Sequence, residues 1–290
     1  MSVSLHEYRP YTGPTTPLWK RPLVLARYGM AEAWASKITV ILFIVALIPC
    51  VVDMVLMYVA DNPVAKLLVM RGNPVLVINE KFFLNVLETQ CWFGLVLAAW
   101  IAPRMVSFDL GDNALPILLS HPISRFGYVL GKFIALTWSL SYVILIPVVV
   151  LFGYQCYASP VPWAADHLGM IFGIVVGSAL WIVWVSLVGL AVSAWVKWRV
   201  IATGAIFAVV FVPAGVGGIA SAILRTRWGL LLNVPVVLTE MLQRLLGAPP
   251  IAEGRFDLPN SAIAAVLLMA IAGCIAVLNA RIRGREVVRG

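Results

Sequence analysis

The chain has 290 residues, of which 62% are hydrophobic and only 12% are charged, and its mean hydropathy is +0.97. A soluble domain averages roughly 45–50% apolar and about 25% charged residues, so this composition excludes an ordinary soluble enzyme. A net charge of +8 would suggest nucleic-acid binding in a soluble protein. In so apolar a chain it indicates loops that face anionic membrane lipid, and we expect no nucleic-acid partner.

The apolar residues form six blocks, each long enough to cross a membrane as a helix. Such a crossing takes about 20 mostly apolar residues. We therefore predict an all-α polytopic membrane protein, with a cytoplasmic lead and interfacial helix over 1–37 and a single transmembrane domain over 38–290. The third and fourth spans are overlong and are expected to tilt or to extend past the bilayer. The predicted spans are 38–60, 82–102, 129–157, 168–196, 200–222 and 260–280.

The lead contains an amphipathic piece over residues 17–36, which places Leu18, Leu23, Leu25 and Trp34 among basic side chains. This pattern is typical of a helix that lies in the headgroup layer. We predict such a helix on the inner side, just before the first span.

Two acidic residues, Asp53 and Glu88, fall inside the first and second spans. Counted from the predicted span ends, each lies roughly 10 Å inside the outer boundary. A charge at depth is expensive and normally faces a cavity or a partner, so the pair is a candidate acidic patch in a translocation path for cationic or amphipathic cargo. The alternative is that the span ends lie one turn away, so that both carboxylates simply reach the outer interface.

The segment 103–133, between the second and third spans, combines an apolar surface with polar groups on the watery side of the membrane. Pro122 should end a helix, and Arg125 and Lys132 should mark the inner membrane boundary. An apolar loop in water indicates a protein partner. Asp109 and Asp112 are expected to be solvated helix caps or docking contacts rather than a metal or catalytic pair.

The same segment contains a series of residues at characteristic spacing: Asp109, Gly111, Leu115 and Leu118-Leu119-Ser120, then Pro122-Ile123-Ser124-Arg125 and Tyr128-Val129-Leu130-Gly131-Lys132. This series resembles the region between spans two and three of type-2 ABC exporter permeases. The resemblance extends over most of the chain, which has the basic lead, six spans and short basic tail of that family.

The resemblance implies a permease subunit, itself not an enzyme, whose coupling helix at 108–124 docks on a separate ABC ATPase. ATP and Mg would be bound by that partner, so we expect no cofactor in this chain. Two permeases, either two copies or a copy with a sibling, would work by alternating access with two ATPases. The residues implied in ATPase coupling are Phe108, Asp109, Leu110, Asp112, Asn113, Leu115, Leu118, Ser120, His121, Pro122, Ile123, Ser124 and Arg125.

Glycine and proline punctuate the second half of the chain. Gly169, Gly173 and Gly177 repeat every four residues, which lets helices approach closely. We predict packing within one chain, with a dimer seam as the alternative. The stretch 213–218 should break or kink the fifth span, and an amphipathic piece at 229–247 should lie on the outer face with a kink at Pro235.

The distribution of Lys and Arg predicts the orientation of the chain. If both termini are cytoplasmic, 14 basic residues lie inside and seven outside, as the positive-inside rule requires. We therefore predict a multi-pass protein of the cell (inner) membrane, surrounded by membrane lipids.

Two other functions stay open from the sequence. A structural or assembly subunit could share six spans without transporting anything. A membrane enzyme would need clustered polar residues at one depth on several spans, which only Asp53 and Glu88 begin to provide. A phosphate-binding loop is excluded at Gly131-Lys132, because Phe occupies both position 126 and position 133.

Overall fold

The computed structural model describes residues 17–62, 77–111, 124–159, 161–249 and 258–283. In these ranges the regular structure is helical, with two short 3-10 turns at Leu18–Lys20 and Trp228–Leu232. The α-helices are α1 (Arg21–Trp34), α2 (Lys37–Asp61), α3 (Glu80–Gly111), α4 (Arg125–Ser141), α5 (Leu145–Ala158), α6 (Val161–Asp166), α7 (Leu168–Trp195), α8 (Arg199–Leu224), α9 (Val234–Leu246) and α10 (Asn260–Arg283).

Six segments of the described chain are long and apolar enough to cross a membrane, which confirms the predicted fold class and the number of spans. Their ends differ from the predicted ends by a few residues. They are Lys37–Asp61, Glu80–Ser107, Arg125–Ala158, Leu168–Trp195, Arg199–Leu224 and Asn260–Arg281.

The second and fourth spans, α3 and α7, form the centre of the bundle. The Trp181 indole donates a hydrogen bond to the Cys91 carbonyl oxygen over 3.1 Å and so joins the two helices in a buried environment. Nearer their other ends, Gly189 lets them approach, because a Cβ there would lie 2.9 Å from the Cβ of Ala102. By contrast, α2, α8 and α10 are largely exposed. Lipid or another subunit must therefore cover their outer faces.

The third span is two helices, because a turn at 142–144 separates α4 from α5. Pro147 accounts for this break. It has no N–H to donate to the carbonyl of Val143, and its ring collides with that carbonyl in a regular helix. The predicted overlong third span is therefore an interrupted one.

The amphipathic helix of the lead, α1, packs along α4. A Cβ on Gly131 would lie 2.9 Å from the Pro22 carbonyl oxygen, and one on Gly29 would lie 3.4 Å from Ala135. Further along, the rings of Trp34 and Tyr142 are 5.9 Å apart. Along these contacts the residue numbers rise on both helices together, so α1 runs in the same direction as α4. Its place in the headgroup layer stays a prediction.

The predicted break of the fifth span was wrong, because α8 continues through Pro213 to Leu224. Membrane helices tolerate proline where neighbouring groups satisfy the freed carbonyl. A kink at Pro213 stays a prediction. The predicted kink at Pro235 was wrong, because Pro235 lies in the first turn of α9, where proline's missing N–H has no intrahelical partner to lose.

The glycine repeat of the fourth span packs against α9 within the same chain, as predicted. A Cβ on Gly173 would lie 2.6 Å from the Leu245 carbonyl oxygen, and Gly177 faces the side chain of Leu242. Gly169 has no atom within 4 Å of such a Cβ and takes no part in this contact.

Candidate functional site

The segment that carries the resemblance begins on a helix that is longer than expected. Helix α3 does not end near residue 102 but continues through Pro103 to Gly111, so that Phe108, Asp109 and Leu110 belong to its last turns. Ser124 and Arg125 begin α4. The other residues implied in coupling lie outside the described residues: Asp112, Asn113, Leu115, Leu118, Ser120, His121, Pro122 and Ile123.

Three side chains join the end of α3 to the start of α4. The Lys132 ammonium lies 2.8 Å from Oδ2 of Asp109. The Tyr128 hydroxyl donates a 2.6 Å hydrogen bond to the same oxygen. Lys132 also lies 5.6 Å from the centre of the Tyr128 ring, within the range of a cation–π contact. We call Asp109, Tyr128 and Lys132 the Asp109 clamp.

The clamp is shielded from solvent on its basic side. The Lys132 side chain is only 6% exposed, and that of Asp109 is 19% exposed. Lys132 therefore neutralises a carboxylate inside the protein, and its place at the inner membrane boundary stays a prediction. Removing one partner of such a pair leaves an uncompensated charge, so the clamp makes each member depend on the others.

The position of Asp109 corrects its predicted role as a solvated helix cap. It lies in the last turn of α3, where the helix dipole is negative and disfavours a carboxylate. The ammonium of Lys132 and the hydroxyl of Tyr128 compensate that cost. The sequence motif contained both residues, but their contact with Asp109 could be inferred only once α3 was known to reach residue 111.

Further hydrogen bonds hold the two helix ends beside the clamp. The Ser124 hydroxyl accepts from the backbone N–H of Gly127 over 3.0 Å and caps α4. The Ser107 hydroxyl lies 3.1 Å from the carbonyl oxygen of Ser193 and 2.8 Å from that of Val196, at the end of α7. The segment 112–123 is thus bounded by two fixed helix ends, with exposed Arg125 at the start of α4.

The acidic residues of the first two spans occupy matching positions. Asp53 lies eight residues before the end of α2, and Glu88 lies eight residues after the start of α3, or about 12 Å along each helix. Asp53 is half-buried and shares the stripe of α2 that contains the buried Cys50 and Met57. It therefore faces the bundle rather than the exposed side of α2.

Glu88 lies beside aromatic side chains whose proximity to it was not predicted from the sequence. Trp92 lies one turn further along α3, on the same helix face as Glu88. The Trp92 ring stacks on Phe211 of α8 with a centroid distance of 5.8 Å and meets the edge of Trp181 of α7 at 5.9 Å. Spacing alone could have suggested Trp92, because residues i and i+4 share a helix face.

Glu88 also adjoins a polar strip on an otherwise buried helix. Asn85 is exposed and Thr89 is half-exposed, whereas most of the surrounding turns of α3 are buried. A helix at the centre of an apolar bundle thus presents amide, carboxylate and hydroxyl groups on one side. Such groups can bind a polar or cationic molecule between the spans.

Comparison with known sequences identifies the family. No curated protein is significantly similar to this chain. The sequence profile described as "ABC-2 family transporter protein" matches residues 26–278, from α1 to the last turns of α10. That match covers five spans in full and the sixth up to residue 278, together with the Asp109 clamp and the segment that carries the resemblance. The chain therefore belongs to the ABC-2 transporter family, as a membrane-spanning permease subunit.

Proposed function

We propose that this permease is the membrane half of an ATP-driven exporter that works by alternating access. Residues 108–124 would couple it to a separate ABC ATPase, which binds ATP and Mg. The permease would act as a pair, of two copies or of one copy with a sibling chain. The observation that carries this proposal is the Asp109 clamp, which fixes both ends of the coupling segment to spans two and three.

The clamp supplies the mechanical link that coupling needs. A partner can shift a conformational equilibrium only by contacting the two states differently. A flexible loop would change its own shape on such a contact without moving the helices. Because Asp109 lies in the last turn of α3 and Lys132 lies two turns into α4, force applied between them moves both helices together. The turn at 142–144 then offers a place where α4 can move relative to α5.

The charge at the two ends of the bundle supports cytoplasmic termini. The end that contains the Asp109 clamp contains few acidic residues in the described chain, notably Glu32 and Asp109. Its basic residues outnumber them, as expected of the side that faces the cytoplasm. They include Lys37, Arg104, Arg125, Lys197, Arg199 and Arg281.

Substitution of Leu118 tests the proposed docking of the ATPase. We expect Leu118→Arg to lower co-purification of the ATPase with the tagged full-length permease by about tenfold or more, because a charge would enter an apolar interface. The measurement is the amount of ATPase recovered from native membranes, together with ATP hydrolysis by the purified complex.

The matched control is Leu224→Arg at the opposite end of the bundle, where Leu224 is 69% exposed. This variant should retain the ATPase, because its charge lies far from Gly111 and Ser124, the described residues that border the segment 112–123. Equal recovery of the ATPase with Leu118→Arg and with the unmodified chain would contradict the proposed docking.

We further propose that Asp53 and Glu88 line the outward part of the translocation path. The supporting observations are their matching positions on α2 and α3, the inward direction of Asp53 and the polar strip beside Glu88. A carboxylate flanked by aromatic rings suits an amphipathic organic cation, which the rings and the charge attract together.

Neutralisation of Glu88 tests the path. In cells or vesicles that contain the complete transporter, Glu88→Gln and Asp53→Asn should each lower export of a lipophilic cation about fivefold, since even in water an opposite charge at 4 Å contributes about 1 kcal/mol. The control is Asp61→Asn, which removes an equal charge from the exposed end of α2. Export that is unchanged in the double variant Asp53→Asn with Glu88→Gln would rule out this path.

A further inference from the structure

A crevice opens between the start of α4, the second half of α7 and the last turns of α10. Its volume is about 360 Å³. Apolar side chains from all three helices form its walls, among them Val129, Phe133, Leu187 and Leu278. Leu187 and Leu278 belong to the packed interior of the bundle, so the crevice reaches inward from the bundle surface.

The rim of the crevice differs from its walls. Arg125 and Asn279 are the polar residues that line it, and both are exposed. Phe126 and Ile275, which flank the opening, are 74% and 52% exposed. The crevice is therefore an apolar slot that opens on the outer surface of the helix bundle, with a guanidinium and an amide at its mouth.

The mouth lies where a membrane boundary is expected. Arg125 is the first residue of the third span, and Asn279 lies two residues before the end of the sixth. Beside it, the Trp195 indole donates to the Val277 carbonyl over 3.3 Å, and the Arg281 guanidinium lies 5.2 Å from the Trp195 ring. Tryptophan and arginine are enriched at this depth, where headgroups meet hydrocarbon.

We propose that this crevice binds an anionic phospholipid, with one acyl chain in the slot and the phosphate at the guanidinium of Arg125. The volume is near the lower limit of small-molecule pockets and fits a single chain rather than a whole lipid. The positive charge at the mouth selects an anionic headgroup over a zwitterionic one. The Asn279 amide can donate a further hydrogen bond to a headgroup oxygen.

This site shares no residue with the proposed cargo path at Asp53 and Glu88. It assigns Arg125 to a lipid headgroup, although the family resemblance placed that residue among the coupling contacts. A lipid wedged between α4 and α10 would hold the sixth span against the helix that begins at the coupling segment. The inference does not rest on ATPase coupling, because lipid retention is measured on the permease alone.

Native mass spectrometry of the purified full-length permease tests the site. After exchange into membranes with equal amounts of phosphatidylglycerol and phosphatidylcholine of the same acyl chains, the unmodified chain should retain phosphatidylglycerol preferentially. We expect Arg125→Gln to weaken that preference about fivefold, the change that corresponds to about 1 kcal/mol per basic residue. Val129→Trp, which fills the slot, should abolish retention of the lipid.

The matched control is Lys197→Gln, which removes one exposed positive charge at the same end of the bundle but does not line the crevice. This variant should retain phosphatidylglycerol as the unmodified chain does. Equal loss with Lys197→Gln and Arg125→Gln would show general surface attraction and overturn the site. So would cross-linking of cysteines placed at Phe126 and Ile275 between two permease copies, because the face would then be a dimer interface.

Discussion

Replacing Lys132 with methionine should lower the free energy of unfolding by about 3–5 kcal/mol, because the Asp109 carboxylate would keep its charge without a cation beside it. The Lys132 side chain is only 6% exposed, compared with 19% for Asp109, so water cannot replace the lost ammonium. The measurement is a denaturant titration of the purified full-length chain, followed by the fluorescence of its 11 tryptophans.

Two further variants separate the charge from the packing. Adding Asp109→Asn to Lys132→Met should recover much of the lost stability, because the unpaired charge disappears while Tyr128 keeps a hydrogen-bond acceptor. Tyr128→Phe alone should cost less than Lys132→Met, about 1.5–3 kcal/mol for one hydrogen bond to a charged group. A Lys132→Met chain as stable as the unmodified one would show that the Asp109 clamp does not form.

The stable double variant also tests whether the clamp transmits force. It lacks the ion pair between α3 and α4 but folds, so ATP hydrolysis by the partner should continue while export falls. Retained export in this variant would show that the coupling segment needs no charge pair at its ends.

Hydropathy was sufficient to predict the number of spans, because crossing a membrane depends on the length and polarity of each block rather than on its neighbours. It could not predict which prolines interrupt a helix. Pro49, Pro103 and Pro213 lie inside continuous helices, whereas Pro147 follows a break. Whether a freed carbonyl finds another donor depends on the packing around it, which local sequence does not contain.

The Asp109 clamp shows a second limit of sequence reasoning. Asp109, Tyr128 and Lys132 all belong to the motif that carried the family resemblance, yet the contacts between them were not predicted. The burial of Lys132 follows from the extension of α3 beyond residue 102, which brings a carboxylate within 2.8 Å. An apolar count cannot reveal that extension, because the added turns contain both charged and apolar side chains.

The contact between the glycine repeat of α7 and α9 should not tolerate a larger side chain at Gly173. Gly173→Ala should lower the free energy of unfolding by about 1–3 kcal/mol through overpacking. A Cβ there would lie 2.6 Å from the carbonyl oxygen of Leu245 and 2.8 Å from its carbonyl carbon, and these backbone atoms cannot rotate away. The end of α9 would have to move, although Gly247 fixes it in a left-handed cap at φ +70°.

Other contacts resist that movement and so raise the cost. The Arg244 guanidinium lies 2.7 Å from Oε1 of Glu240 on the preceding turn of α9 and 2.8 Å from the Leu258 carbonyl oxygen, beside the start of α10. A shift of α9 away from α7 would strain or break this link. We therefore expect Gly173→Ala to increase hydrogen exchange in both α9 and the first turns of α10, a pattern that mass spectrometry of the full chain can detect.

Gly169→Ala is the matched control, because it makes the same substitution one turn earlier on the same helix where no atom lies within 4 Å of the new Cβ. Alanine is a better helix former than glycine by about 0.8–1.0 kcal/mol, so this variant should be neutral or slightly stabilising. Gly173→Ala should therefore lower the free energy of unfolding, whereas Gly169→Ala should not. If both variants changed the free energy of unfolding in the same direction and by the same amount, helix propensity alone would explain the effect. In that case α9 would not pack against Gly173.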